Sequence, residues 1–287
     1  MAEVTHVAVV GAGAMGSQIA MLAALAGCKT TVVDIDEQRI DAALAKVRET
    51  VARSVERGRL NAEQVEAALP RLSSRTDLAG AVEDADFVIE AIVEDLDAKR
   101  SLFEQLGTFA PANAILATNS SSIVSSRLAD VPNPGRVCNM HFFNPALVMQ
   151  LVEVVGGTHT SQATVDSAVR LAERMGKTPV VVKQEIFGFI ANRIVGAIFD
   201  EAIALLEAGV ATAEEIDTAV TKGLGHPIGP FALLDMTGID VNVGIKKLEA
   251  QETQDPSRGP SQTLLDLESE GRLGKKSGRG FYEYGAR

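Results

Sequence analysis

Two side chains in the middle of the chain have the types that proton transfer from an alcohol requires. They are His141 and Glu153, in the stretch Cys138-Asn-Met-His141-Phe-Phe-Asn144-Pro-Ala-Leu-Val-Met-Gln-Leu-Val-Glu153. A neutral imidazole takes a proton near neutral pH, and a carboxylate on its other ring nitrogen steadies the cation that forms. Each residue alone has an equally ordinary reading: a histidine beside two phenylalanines is commonly a satisfied core residue, and a lone carboxylate is ambiguous. As a pair they suit the base of an alcohol dehydrogenation, for which the chain must also bind a hydride acceptor. Among the other histidines, His6 precedes the first strand, His159 sits in a loop and His226 in a Gly/Pro-rich turn, so none competes well as base.

The acceptor site is legible at the start. Val7 to Val10 is a short strand pattern leading into Gly11-Ala-Gly13-Ala14-Met15-Gly16, after which Ser17 to Ala26 reads as an apolar helix. In a strand–turn–helix of this kind Gly11 makes the tight turn, Gly13 lets backbone approach a pyrophosphate, and Gly16 permits close helix–strand packing. The helix N-terminus then faces the phosphates. A second strand, Lys29 to Val33, stops at Asp34. An acid there suits a ribose 2′-hydroxyl and repels a 2′-phosphate, so NAD is expected over NADP, a preference that Arg39 slightly weakens.

The elements that must position these residues alternate. A long helix over 36–57 is followed by one from Asn61, with Gln64 completing a capping box. Phe87 to Ala91 is a strand, 95–106 a helix stopped by Gly107, and Ile115 to Thr118 a strand opening into Asn119-Ser-Ser121-Ser122. Val137 to Met140, Leu151 to Val155 and Pro179 to Val182 are further strands, with a helix over 161–175. Such β–α alternation predicts an α/β, mostly parallel sheet whose ligands gather at strand carboxyl ends, where Glu90, Asn119 and Ser121 fall. Ser122 reads as the cap of a helix beginning near Ile123. Beyond Phe187 every long pattern is helical, which predicts two domains: 1–186, Rossmann-type, and 187–287, all-α. Lys46, Arg53 and Arg57 share one helix face, with Arg59 after it; Glu49, one turn before Arg53, supports a solvated face.

Bulk properties narrow the function classes. A formal net charge of −11 disfavours nonspecific nucleic-acid binding or docking on an anionic membrane. The two cysteines, Cys28 and Cys138, lie in apolar contexts without metal-ligand spacing, so no metal is expected and a reducing cytoplasm fits. The N-terminal Met-Ala-Glu-Val-Thr-His has no basic leader, and no long uncharged apolar run occurs, so neither export nor a membrane span is expected. The tail Gly271 to Gly280 only superficially suggests a P-loop, since its glycine spacing is wrong and no helix follows.

Several stretches together resemble the 3-hydroxyacyl-CoA dehydrogenase family, of the short, single-function kind that includes 3-hydroxybutyryl-CoA dehydrogenases. The resemblance rests on the glycine turn with Met15, Val88-Ile-Glu-Ala-Ile-Val-Glu94, Thr118-Asn-Ser-Ser-Ser122, His141-Phe-Phe-Asn-Pro145 and Leu151-Val-Glu153. Gly188-Phe-Ile-Ala-Asn-Arg193, Gly229-Pro-Phe-Ala-Leu-Leu-Asp235 and Gly274-Lys-Lys-Ser-Gly-Arg-Gly-Phe-Tyr282 extend it over nearly the whole chain. It implies NAD-dependent interconversion of (S)-3-hydroxyacyl-CoA and 3-oxoacyl-CoA in a protein that commonly forms homodimers. His141 would be the base and Glu153 its orienting partner, with Ser121 on the substrate oxygen and Asn192 meeting the substrate from the helical domain. Glu90, Lys99 and Asn119 would line the nicotinamide side, with Asn144 beside the dyad, and Arg53, Arg57 and Arg59 would contact the CoA phosphates. One departure is visible: Phe187 stands where the family has proline, and Lys183-Gln-Glu-Ile-Phe187 is one residue longer, which bears on the acyl pocket. The rival readings are a non-CoA 3-hydroxy-acid dehydrogenase of the 6-phosphogluconate-like group, using Lys183, and an NAD-binding sensor without turnover.

Overall fold

The computed structural model describes residues 3–285; Met1 and Ala2, which open the N-terminal stretch noted above, lie outside them. The chain divides into two compact units, Met1–Phe189 and Ile190–Arg287.

The first unit runs β1 (His6–Val10), α1 (Ala14–Leu25), β2 (Lys29–Val33), α2 (Glu37–Glu56), α3 (Ala62–Ala68), β3 (Leu72–Arg75), α4 (Leu78–Val82), β4 (Phe87–Glu90), α5 (Leu96–Phe109), β5 (Ile115–Thr118), β6 (Val137–Phe142), β7 (Leu151–Val155), α6 (Gln162–Arg174) and β8 (Thr178–Val182). They form one eight-stranded sheet, ordered β3-β2-β1-β4-β5-β6-β7-β8. All neighbours pair parallel except β6 and β7, which are antiparallel. The central strands β1, β4, β5 and β6 are buried on both faces, and their alternate side chains enter opposite layers. Val7, Val9, Phe87 and Ile89 pack with Ile19, Ala23 and Leu171 on one face. Ala8, Val10, Val88 and Leu116 pack with Val82, Phe103 and Leu106 on the other. The order reverses between β1 and β4, a switch point at which open α/β sheets bind ligands.

Several boundaries differ from the sequence pattern, each for a local reason. Helix α1 begins at Ala14, directly after the glycine turn, instead of at Ser17. Helix α5 continues through Gly107, because a Cβ there would stand 3.0 Å from Cδ of Pro132; glycine serves close packing, and the helix ends before Pro111. No α-helix begins at Ile123, where a 3₁₀ turn at Ser125–Arg127 is found instead. Strand β6 extends through His141 to Phe142, held by pairing with β7. The polar, mostly exposed β3 was not apparent from its residues, Leu-Ser-Ser-Arg.

The second unit contains α7 (Ala191–Glu207), α8 (Ala213–Thr218), α9 (Pro230–Thr237), α10 (Ile239–Thr253) and α11 (Gln262–Ser269). Phe199, Ile203, Phe231, Leu234, Val243 and Leu267 form its core. Two buried carboxylates fasten the tail that follows α11. Asp235 accepts from the backbone N–H groups of Phe281 and Tyr282 and from the Tyr284 hydroxyl. Asp217 accepts from Phe231 N, Ala232 N and the Tyr282 hydroxyl. At Gly280 any Cβ would collide with the Asp235 carboxylate, so the close approach requires glycine.

Candidate active site

The β6–β7 register sets His141 directly opposite Glu153. Their side chains share one face, and Oε2 of Glu153 lies 2.8 Å from Nδ1 of His141. Both residues are buried, at 4% and 0% exposure. A carboxylate acceptor at Nδ1 selects the tautomer with the proton there, which leaves Nε2 as the lone-pair nitrogen. The imidazole is flanked by two rings, Phe143 at 4.4 Å and Phe189 at 5.6 Å between centroids. Phe189 is fully buried and adopts φ +48°, a strained conformation for a large side chain, within a cluster that includes Val155 and Val182.

The turn after β1 tests well as a dinucleotide cradle. Gly11 has φ +107°, and a Cβ on it would lie 2.5 Å from the Ala91 carbonyl oxygen; a Cβ on Gly16 would collide with the Gly11 carbonyl. Gly13 is exposed, and a Cβ there would meet nothing within 4 Å, so its surface is open to an anion. Gly13 also caps α1, whose first turn has neither a side-chain cap nor an acid, and Ala14 and Met15 begin it. Uncapped N–H groups at a helix start favour phosphate. Asp34 follows β2 and accepts from Ala12 N at 2.8 Å through Oδ2, which ties it to this turn. Ile35 and Val93, 93% and 67% exposed, are apolar side chains just beyond β2 and β4, on either side of β1, and were not singled out by the sequence.

The other strand ends form one polar network. Glu90, fully buried, accepts from Lys99 Nζ at 2.5 Å, Thr118 Oγ1 at 2.5 Å and Ile92 N at 2.7 Å. Lys99 lies 3.4 Å from Glu94 as well. Glu94 accepts from the hydroxyls of Ser120 and Ser122. Burial pushes the Glu94 carboxyl upward, but the Lys99 charge and these hydrogen bonds outweigh it and hold the group below its ordinary value. Ser122 therefore caps no helix; its hydroxyl serves Glu94. Of the three consecutive serines, Ser121 alone has a hydroxyl with no partner among the described residues. Asn119 accepts from Phe142 N at 2.9 Å through Oδ1, which leaves its amide N–H groups available.

The remaining candidates are dispersed. Asn144 is exposed and joined to Pro145 by a cis peptide. Asn192 is in the first turn of α7, in the second unit. Arg53, near the end of α2, pairs with Glu49 at 2.5 Å, whereas exposed Arg57 and Arg59 have no ion pair among the described residues. Lys183 is exposed, just after β8. No group of three His, Cys, Asp or Glu among the described residues could hold a metal, and no helix there is long and apolar enough to cross a membrane. Asn139, buried in β6 and bonded to the serine loop, had no signal in the sequence, since it sits inside an apolar run.

A doubly wound sheet with a glycine cradle at its switch point, followed by a helical unit, has the architecture of a dinucleotide-binding protein. Residues 6–186 match the 3-hydroxyacyl-CoA dehydrogenase NAD-binding domain, and residues 188–284 match the C-terminal domain of the same family. The chain belongs to the 3-hydroxyacyl-CoA dehydrogenase family and is an NAD-dependent oxidoreductase. It is 41% identical to the Bacillus subtilis (strain 168) "Probable 3-hydroxybutyryl-CoA dehydrogenase", covering 98% of each chain. It is 40% identical to Homo sapiens "Hydroxyacyl-coenzyme A dehydrogenase, mitochondrial", covering 98% of this chain and 91% of that one. The crystal structure of (S)-3-hydroxybutyryl-CoA dehydrogenase PaaH1 from Ralstonia eutropha superposes with a TM-score of 0.93, at 35% identity, over 99% of this chain and all of that one.

Proposed function

We propose that the enzyme interconverts (S)-3-hydroxyacyl-CoA and 3-oxoacyl-CoA, with the short-chain 3-hydroxybutyryl thioester as preferred substrate. The observation that carries the chemistry is the buried His141–Glu153 contact at 2.8 Å. Bound NAD supplies the hydride acceptor. As the substrate hydroxyl acidifies, its proton passes to Nε2 of His141, and Glu153 steadies the imidazolium; in reduction the same imidazolium returns the proton. The Ser121 hydroxyl, without a partner among the described residues, holds the substrate oxygen, and Asn192 is a further substrate ligand. Gly11, Gly13, Ala14, Met15 and Gly16 hold the pyrophosphate, and Asp34 takes the ribose. Glu90 and Lys99 frame the nicotinamide side as a charge-paired wall, to which Asn119 and Asn144 contribute amides. Ile35 and Val93 offer apolar walls to the adenine.

Arg57 and Arg59, free of acidic partners among the described residues, support contact with the CoA phosphates, with Arg53 beside them. The second unit exposes Ile194 on α7, Met236 on α9, and Val241 and Ile245 on α10, apolar surface of the kind that a homodimer covers. We read the first unit as the cofactor domain and the second as the substrate and dimerisation domain, working in the cytoplasm.

A panel of 3-oxoacyl-CoA thioesters of increasing chain length, each assayed with NADH and NADPH, tests this reading. Turnover is expected to be highest with the four-carbon thioester and NADH. Equal turnover of free 3-hydroxy acids would instead indicate a non-CoA dehydrogenase. NADH binding with no turnover across the panel would indicate a sensor.

A further inference from the structure

Asparagine is a poor strand former, and its buried amide is costly unless every polar atom is bonded. Asn139 nevertheless sits at 0% exposure in the middle of β6, between Cys138 and Met140. It is two residues before His141 and therefore on the same face of the strand. Its side-chain hydrogen bonds all go to the loop that follows β5. Oδ1 accepts from Ser125 N at 2.7 Å, and Nδ2 donates to the carbonyls of Ile123 at 2.9 Å and Ser120 at 3.4 Å.

The same loop is also held from the segment after β8. Oε1 of Glu185 accepts from Ser125 Oγ at 2.7 Å and from Ser126 N at 2.8 Å. Glu185 lies in Lys183–Phe187, the segment that directly follows β8. That segment leads into Phe189, which packs on the His141 ring and, with Val124 from the serine loop, joins one apolar cluster. Strand, loop and connecting segment are thus tied at three places around the imidazole.

We propose that Asn139 and Glu185 are positioning residues. Together they clamp the Ser120–Ser126 loop to the strand carrying His141, and so fix the Ser121 hydroxyl relative to the base. This rests on the roles given above to His141 and Ser121. A substrate oxygen gripped by both groups tolerates little misplacement, since an error of about 1 Å can cost about a hundredfold in rate.

The test compares Asn139→Ala, Glu185→Ala and Glu185→Gln with wild type by kcat, KM, the pH profile, NADH affinity and amide hydrogen exchange over 121–126. Asn139→Ala and Glu185→Ala should each lower kcat about tenfold, with NADH affinity and the pH profile unchanged, and should speed exchange in the loop. Glu185→Gln retains an acceptor oxygen and should restore near-normal kcat. Wild-type kcat in folded Asn139→Ala or in Glu185→Ala overturns the proposal, as does Glu185→Gln as impaired as Glu185→Ala. If Asn139→Ala does not fold, Glu185, half-buried, carries the decision. A wild-type enzyme that reduces no thioester sinks the functional reading alone; unchanged loop exchange in the variants sinks the clamp alone.

Discussion

His141 is a usable base because its two ring nitrogens meet different surroundings: Nδ1 is held by Glu153 and Nε2 is left to accept. His141→Ala should therefore lower turnover by about a hundredfold to ten-thousandfold, while a fluorescence titration finds NADH affinity unchanged. Glu153→Gln keeps the shape but removes the charge opposite the imidazolium, and should depress kcat more than it raises KM. At this scale the sequence was informative wherever residue type and motif coincide, as for the glycine turn and the histidine–carboxylate pair. It was silent where function depends on contact alone. Asn139 sits in an apolar run, and what the Ser122 hydroxyl does, which its type suggests is helix capping, is settled only by its contact with Glu94, which takes Ser120 and Ser122 and leaves Ser121.

The strands and helices explain where the parts of the site are assembled in the sheet. The β1–β4 switch point carries the cradle, and the β6–β7 reversal sets His141 against Glu153. A parallel sheet of apolar, β-branched runs is legible as such, since burial on both faces leaves continuous hydrophobic stretches. Strand β3 lacks that mark because it is a short, mostly exposed edge strand, and α5 passes through Gly107 because tertiary packing overrides propensity. In the helical unit, the tail latch gives an element-scale prediction. Burial first, then the hydrogen bonds to Asp217 and Asp235, raise the Tyr282 and Tyr284 phenols well above their ordinary value of 10.0. An acid whose folded pKa is raised contributes stability that is complete below the unfolded value and is lost as pH rises toward the folded one. The urea midpoint should thus fall above about pH 10, and Tyr284→Phe should flatten the fall.

Across the whole molecule, stability in acid depends on carboxylates that folding holds ionised. Glu94 and Glu249 both lie below their ordinary value of 4.5 despite burial, Glu94 through Lys99 and the serines, Glu249 through Lys246 and Arg258. Asp86, ordinarily at 3.8, is lowered against burial by hydrogen bonds from Thr5 and His6. A depressed carboxyl contributes stability that is present above its unfolded pKa and is lost as pH falls through the folded one. The urea midpoint should therefore hold steady from about pH 8 to pH 6 and drop below about pH 4.5, with Glu94→Gln blunting the drop. The two phenylalanine rings beside His141 have a further consequence, for observation. Their ring currents displace the imidazole proton resonances away from those of the other three histidines, so the ionisation of this one group can be followed by magnetic resonance in the intact protein without labelling it or changing a residue.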